Sequence, residues 1–443
     1  DNLELLNTGF TDVDRKKFTD LLGNAHWKYR NEIYNYSFSG EKTLLRVEDL
    51  GFFTTICLKY IDQSIKVNRR KDGLYHAYNL ISITDNSISI RRLYEMLEGQ
   101  VAVLSSGILS AQESLELLDA LKNSSMFRAD QYSYMLYPDR MLPRFMEKNN
   151  IPKDTVQQSA LFKKFLEDGE TSIIKADNEG NFHFNGNLRN ADALELSLNN
   201  LRIGGYSHLI EEEKEKVLSI YEDVFDHSSF TGRSGTFYGY EGLGSIYWHM
   251  VSKLLLATQE SYFKAVNEGG DPSVIGRLQD HYYEIKAGIG LYKSPDLYGA
   301  FPTDAYSHTP STSGVKQPGL TGQVKEDIIS RLGEMGVIIK NGKILFDTSL
   351  LNKDEILDRK KIFEYYNVSG ENCKLNLTEN QISFTYCQVP VVYTFSNEEN
   401  IVISFTNGSI EKIKGNTINK KLSSMIFSRS GEIVLVEVSI KNK

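Results

Sequence analysis

"GVIIKNGKILF", residues 336–346, is the point at which the chain changes its rhythm. Upstream of it, apolar residues recur at intervals of three and four; from Val337 onward they come in short β-branched runs. "QISFTYCQVPVVYTF" (381–395), "NIVISF" (400–405) and "EIVLVEVSI" (432–440) repeat the second pattern, with Asn, Gly and Ser turns between them. On the near side, Leu209, Val217, Ile220, Tyr221 and Val224 make one helical stripe, and Leu243, Ile246, Tyr247, Met250, Leu254 and Ala257 another. Ser110 and Glu113 stand in capping-box spacing ahead of "LELLDAL". "PKDTVQQSALFKKFLEDG" (152–169) has the pattern of a helix stopped by its glycine, and "SIIKADNEGNFHFNG" (172–186) that of a hairpin turned at Asn178 to Asn181. The expectation is a mainly α chain: a helical bundle or α/α toroid over 1–336, then a C-terminal β domain over 337–443.

Composition excludes more than it assigns. Of 443 residues, 40% are hydrophobic and 24% charged, the balance of a folded chain rather than a disordered one. A formal charge of −8 supplies no basic stripe, so nucleic acid is not an expected partner. Cys57, Cys373 and Cys387 have neither the number nor the spacing of a disulfide framework or zinc site, and no histidine pair has metal-ligand spacing. No metal or cofactor is therefore expected. Neither a membrane-spanning run nor a signal peptide is evident, which points to a cytoplasmic protein. Tyr and Phe are abundant, at 25 and 22, and such rings fill cores or stack against sugars.

Three stretches carry the candidate chemistry. "SGTFYGYEGLGSIYWHM" (234–250) crowds four glycines, five aromatics and Glu241 ahead of a helix expected from Ile246 to Ala257. It is either a tight turn into a packed helix or a loop where backbone, ring and carboxylate meet a sugar. The polar segment 298–337 carries Asp304, His308, Ser311 and Lys316 and ends in "PGLTG", where Thr321 and Gly322 either cap a helix or cradle an anion. In 68–110 an Asp72-Gly73 turn precedes Tyr75, His76 and Tyr78, with Glu95 and Glu98 expected one turn apart on the next helix.

Taken in order, these motifs resemble the C-terminal half of the family 94 glycoside phosphorylases, and 1,2-β-oligoglucan phosphorylase is the expected nearest member. "KDGLYHAY" is similar to the family's DG-x-W-Y-x-R-A-Y turn, and "EGQVAVLSSGILSAQESLELLDAL" to its Q-S-W-A-V-L-S-G helix. "SGTFYGYEGLGSIYWHMVSKLLLA" stands where the family has its G-T-x-F-x-H-x-N phosphate loop, and "PGLTGQ" where it has W-L-T-G-[TS]. The resemblance implies an (α/α)6-toroid-type domain followed by a β-sandwich domain. It implies inverting phosphorolysis of a β-linked gluco-oligosaccharide, with inorganic phosphate as co-substrate. On that reading Thr321, Gly322 and His308 bind phosphate, while Tyr75, His76, Arg233, Tyr240, Glu241, Asp304 and Gln323 contact sugar.

The departures matter as much. The family's phosphate-binding histidine falls on Tyr240, and its G-D-W-N-D-G acid motif has no counterpart, leaving Asp1 or Glu4 as the candidate general acid. The family's N-terminal β domain is also unmatched, so a missing N-terminal segment or a homodimer is the expected complement. Two other functions stay open. One is a phosphate-independent hydrolase or transglycosylase with Glu241 as base or nucleophile; the other is a non-catalytic carbohydrate-binding fragment.

Overall fold

The computed structural model describes residues 3–226, 243–298, 306–309, 317–318 and 322–441. Two compact units make up the chain: Asp1–Val274 with Tyr283–Leu320, and Ile275–Tyr282 with Thr321–Lys443.

The first unit is mostly helical. Its buried axis is the helix Trp248–Asn267, which packs on Leu97–Ser105 and Ala111–Lys122. Trp248, Val251, Leu254, Ala257 and Ala265 are buried along it, close to the stripe expected from sequence. The helix starts at Trp248 rather than Ile246, because Ile246–Tyr247 is a short strand paired with Tyr306–Thr309. It stops where Gly269, at φ +66°, takes the left-handed conformation and Gly270 donates back to the Ala265 carbonyl. The capping box at Ser110 and Glu113 forms as the spacing predicts. Lys264 closes the preceding turn by donating to the Gly107 and Leu109 carbonyls at 2.7 and 2.6 Å. A hairpin of Asn79–Ile83 and Ile88–Arg92, unforeseen in the sequence, precedes this helical group.

Within the same unit, a self-contained core lies between Ile151 and Phe225, built on Phe162, Phe165, Phe184, Leu194, Val217 and Tyr221. The segment 152–169, expected as one helix, is two: Lys153–Gln157 and Ala160–Glu167. Ser159 breaks it by capping the second, and its hydroxyl donates to Glu213 at 2.5 Å. Glu213 also accepts from the amides of Ala160 and Leu161, so a carboxylate from a distant helix serves that helix start. The hairpin expected at Asn178 to Asn181 is present as Ile174–Ala176 against Phe182–Phe184.

The second unit opens on the helix Gly322–Glu334 and the hairpin Val337–Lys340/Lys343–Phe346. Asn341 and Gly342, at φ 52° and 73°, make the two-residue turn that the Asn-Gly pair favours. Its main sheet has five strands in the order Gln381–Tyr386, Val389–Ser396, Ile433–Lys441, Asn400–Phe405, Ile410–Lys414. Where facing sheets of a sandwich are expected, the described strands form this single mixed sheet and separate two-stranded hairpins. Val389–Ser396 and Ile433–Lys441 run parallel, and the helix Lys420–Phe427 lies between Ile410–Lys414 and Ile433–Lys441 in the long connection that makes this possible. Leu422 and Ile426 of that helix join Tyr393, Ile401, Ile403, Val436 and Val438 in the core. No described helix is long and apolar enough to cross a membrane.

Candidate functional site

Parts of all three chemistry-bearing stretches are laced together by main-chain hydrogen bonds. The Leu97 amide, at the start of the helix Leu97–Ser105, donates to the Leu136 carbonyl at 2.9 Å. Leu136 in turn donates to the Ser245 carbonyl at 2.8 Å. Two residues on, Tyr247 pairs with His308, and His308 pairs with Gln317. Segments distant in sequence are thereby held edge to edge. This also explains why Glu95 is not on the helix. Tying Leu97 to Leu136 keeps Met96 extended at φ −140°, so the helix begins after Glu95.

The Asp72-Gly73 turn is held from both ends. Arg70 donates its amide to the Leu74 carbonyl at 2.7 Å, and Gly73 adopts φ +86° between them. The Arg70 guanidinium reaches both Asp72, at 2.7 Å, and Glu95, at 2.8 Å. Burial works against the Arg70 charge, but the two carboxylates outweigh it and leave its pKa raised. Burial likewise pushes Asp72 up, and the Arg70 and Leu74 donors more than reverse this, holding it below the ordinary carboxylate value.

Beyond the turn, Tyr75 is buried and gripped by the fully buried Gln100. The Gln100 amide accepts from the Tyr75 N–H and donates to the Tyr75 carbonyl, both at 2.8 Å. A buried side chain thus stands in for a strand neighbour. Gly99 lets the helix come this close: a Cβ there would lie 2.5 Å from the Ala77 Cβ. His76 has Nδ1 3.4 Å from the Leu93 carbonyl oxygen, and burial lowers its pKa, favouring the neutral ring. The Tyr78 hydroxyl donates to Glu98 at 3.3 Å.

The remaining sequence candidates fall as follows. Glu4 is exposed ahead of the four-residue helix Leu5–Thr8, and its carboxylate makes no hydrogen bond or ion pair with described residues. His308 lies on its strand opposite Tyr247, and Gly322 and Gln323 open the helix Gly322–Glu334 of the second unit. Asp1, Arg233, Tyr240, Glu241, Asp304 and Thr321 lie outside the described residues. Among the described residues no group of His, Cys, Asp and Glu is placed to hold a metal.

One cluster escapes the sequence reading. Lys293 is buried with its Nζ 4.7 Å from the Trp248 ring centroid and 3.3 Å from the Gln131 amide oxygen. Gln131 in turn donates to the Leu297 carbonyl at 3.0 Å. Burial pushes the Lys293 ammonium down to about 8. Its only signal in sequence is adjacency, since "LYKSPDLYG" runs directly into the polar segment that begins at Tyr298.

Residues 142–228 match a family model described as GH149 phosphorylase insertion domain 2. The match encloses the self-contained core between Ile151 and Phe225. No curated protein matches the chain. The family match supports a phosphorylase-like carbohydrate enzyme of the family 94 type, and it does not extend to the 1,2-β-oligoglucan member.

Proposed function

We propose that this protein is a glycoside phosphorylase that cleaves a β-linked gluco-oligosaccharide with inorganic phosphate, releasing a sugar 1-phosphate with inversion. The match of residues 142–228 to a phosphorylase insertion domain carries the proposal. The lacing of Leu97, Leu136, Ser245, Tyr247 and His308 supports it, because a multi-loop site needs such a frame.

In this reading the helical unit is an α/α toroid. A carboxylic acid, Asp1 or Glu4, protonates the leaving glycosidic oxygen while a phosphate oxygen attacks the anomeric carbon from the opposite face. Thr321, Gly322 and His308 hold the phosphate, with Arg233 beside them. His76, Tyr240, Glu241, Asp304 and Gln323 contact the sugar. Because Tyr75 is buried and clamped, its role narrows to holding His76 and Tyr78 in place.

The test is incubation with a panel of β-linked gluco-oligosaccharides, with and without phosphate, followed by phosphorus and proton NMR. A sugar 1-phosphate formed only with phosphate is the expected result. Reducing sugar released without phosphate would favour a hydrolase, the reading that Tyr240 in place of the family's histidine supports. No turnover in either condition counts against an enzyme and leaves carbohydrate binding as the surviving function.

A further inference from the structure

Lys293 is 7% exposed, and a lysine is almost never buried so deeply without a carboxylate to pair with. Among the described residues none pairs with it: its ammonium donates to Gln131 and faces the Trp248 ring. Asp130, whose field favours the charge, is held by Arg128 at 2.9 Å, and Arg128 opposes it. A buried charge left without a counter-charge costs the fold free energy. Stability therefore does not account for Lys293, and what it holds in place does.

The stretch that carries it, 288–298, is pressed down on both sides of the lysine. A Cβ at Gly288 would lie 2.0 Å from the Tyr132 carbonyl oxygen, and one at Gly290 would lie 2.1 Å from the Tyr298 ring. Gln131 ties the lysine to the far side of the same stretch, accepting from Lys293 at 3.3 Å and donating to the Leu297 carbonyl at 3.0 Å. The Tyr298 and Trp248 ring centroids are 6.4 Å apart.

Two arms of chain leave this fastening. Trp248 is preceded directly by Ile246–Tyr247, and from Tyr298 the chain runs on to Tyr306–Thr309. The arms then pair, Ile246 opposite Thr309 and Tyr247 opposite His308. So short a ladder holds its register weakly by itself, and the point from which its strands start decides which residues meet.

We propose that Lys293 is a positioning residue: by pinning 288–298 to Trp248 it fixes where both arms begin, and so where His308 lies. The kinetic consequence rests on the reading of His308 as a phosphate ligand given above, whereas the pinning itself is tested without substrate.

Lys293→Met keeps the aliphatic stem and removes the ammonium. Hydrogen exchange on the full chain, read by mass spectrometry, should show the amides of 246–247 and 306–309 exchanging about tenfold faster in the variant. Those of Ile433–Lys441 should exchange as in the parent, and the urea midpoint should hold or rise. Ladder exchange equal to the parent's would overturn the proposal. So would faster exchange throughout the chain with a lowered midpoint, since Lys293 would then act on stability alone.

A second readout leaves Lys293 in place. In a Trp27→Phe protein Trp248 is the single tryptophan, and its emission should change with a midpoint near the Lys293 value of about 8. The change should vanish on adding Lys293→Met, which separates it from titration of the adjacent His249. Emission that stays flat from pH ~6 to ~10 would contradict an ammonium held on that ring.

With oligosaccharide and phosphate, Lys293→Met should raise the KM for phosphate about tenfold and leave kcat within about twofold. A lowered kcat at unchanged KM would overturn the placing of His308 by Lys293. A parent without turnover fails the phosphorylase reading instead, and the exchange result alone then decides the pinning.

Discussion

Gln100 is the residue on which the best-defined part of the candidate site turns. It satisfies both main-chain groups of Tyr75 from a position with no solvent access. Gln100→Leu keeps the volume and strands a buried N–H and a buried carbonyl, which should cost about 2–4 kcal/mol in urea unfolding. Gly99→Ala should cost about 1–3 kcal/mol by overpacking against Ala77, and Ala77→Gly in the same chain should restore much of it. Lys293 makes the pH prediction. Its pKa is about 8 when folded and returns to the ordinary lysine value when unfolded, so the unfolded chain binds more protons between those limits. Stability contributed at this site should therefore rise as pH climbs from ~8 to ~10, and the slope should disappear in Lys293→Met. The difference between parent and variant unfolding curves isolates it from other titrating groups.

At the scale of elements, success followed local chemistry and failure followed tertiary contacts. The Ser110 capping box and the Asn178–Asn181 hairpin depend on residues that meet their neighbours within a few positions, and both were legible. The break at Ser159 was not, because its cause is Glu213, and neither was the start of a helix at Trp248, because its cause is the strand around His308. Nothing in "QISFTYCQVPVVYTF" marks a turn by composition, yet Cys387 and Gln388 both take positive φ, 50° and 63°, between paired strands. Replacing them with Asn-Gly should raise stability by about 1 kcal/mol, read as a shift in denaturation midpoint at unchanged slope. The loss of the Gln388 hydrogen bond to Asn367 works against that gain. The core between Ile151 and Phe225 draws on its own segment alone. Residues 142–228 expressed separately should thus unfold cooperatively on heating; a flat, non-cooperative melt would refute this.

For the whole molecule, the change of period at Gly336 announced a helical part and a strand-rich part, and both exist. The compact units are not cut there, because the helix Gly322–Glu334 and residues 275–282 group with the sheet. Of the candidate site, the sequence exposed which stretches to watch, and the hydrogen bonds among Leu97, Leu136, Ser245, Tyr247 and His308 show what holds their described parts together. It could not expose Gln100 or Lys293 as partners of Tyr75 and Trp248, since those pairings depend on chain crossings that no local pattern encodes.

That same lacing has a kinetic meaning. Each of its links closes a long loop, and the entropy of closure must be met before any contact rewards it. The cores around Phe184 and Tyr393, built from nearby segments, can consolidate early, whereas the join between Leu136 and Ser245 waits for the chain on both sides. The frame of the candidate site should accordingly be among the last parts to assemble, so refolding should restore these two cores before it protects the Leu97 and Leu136 amides from exchange.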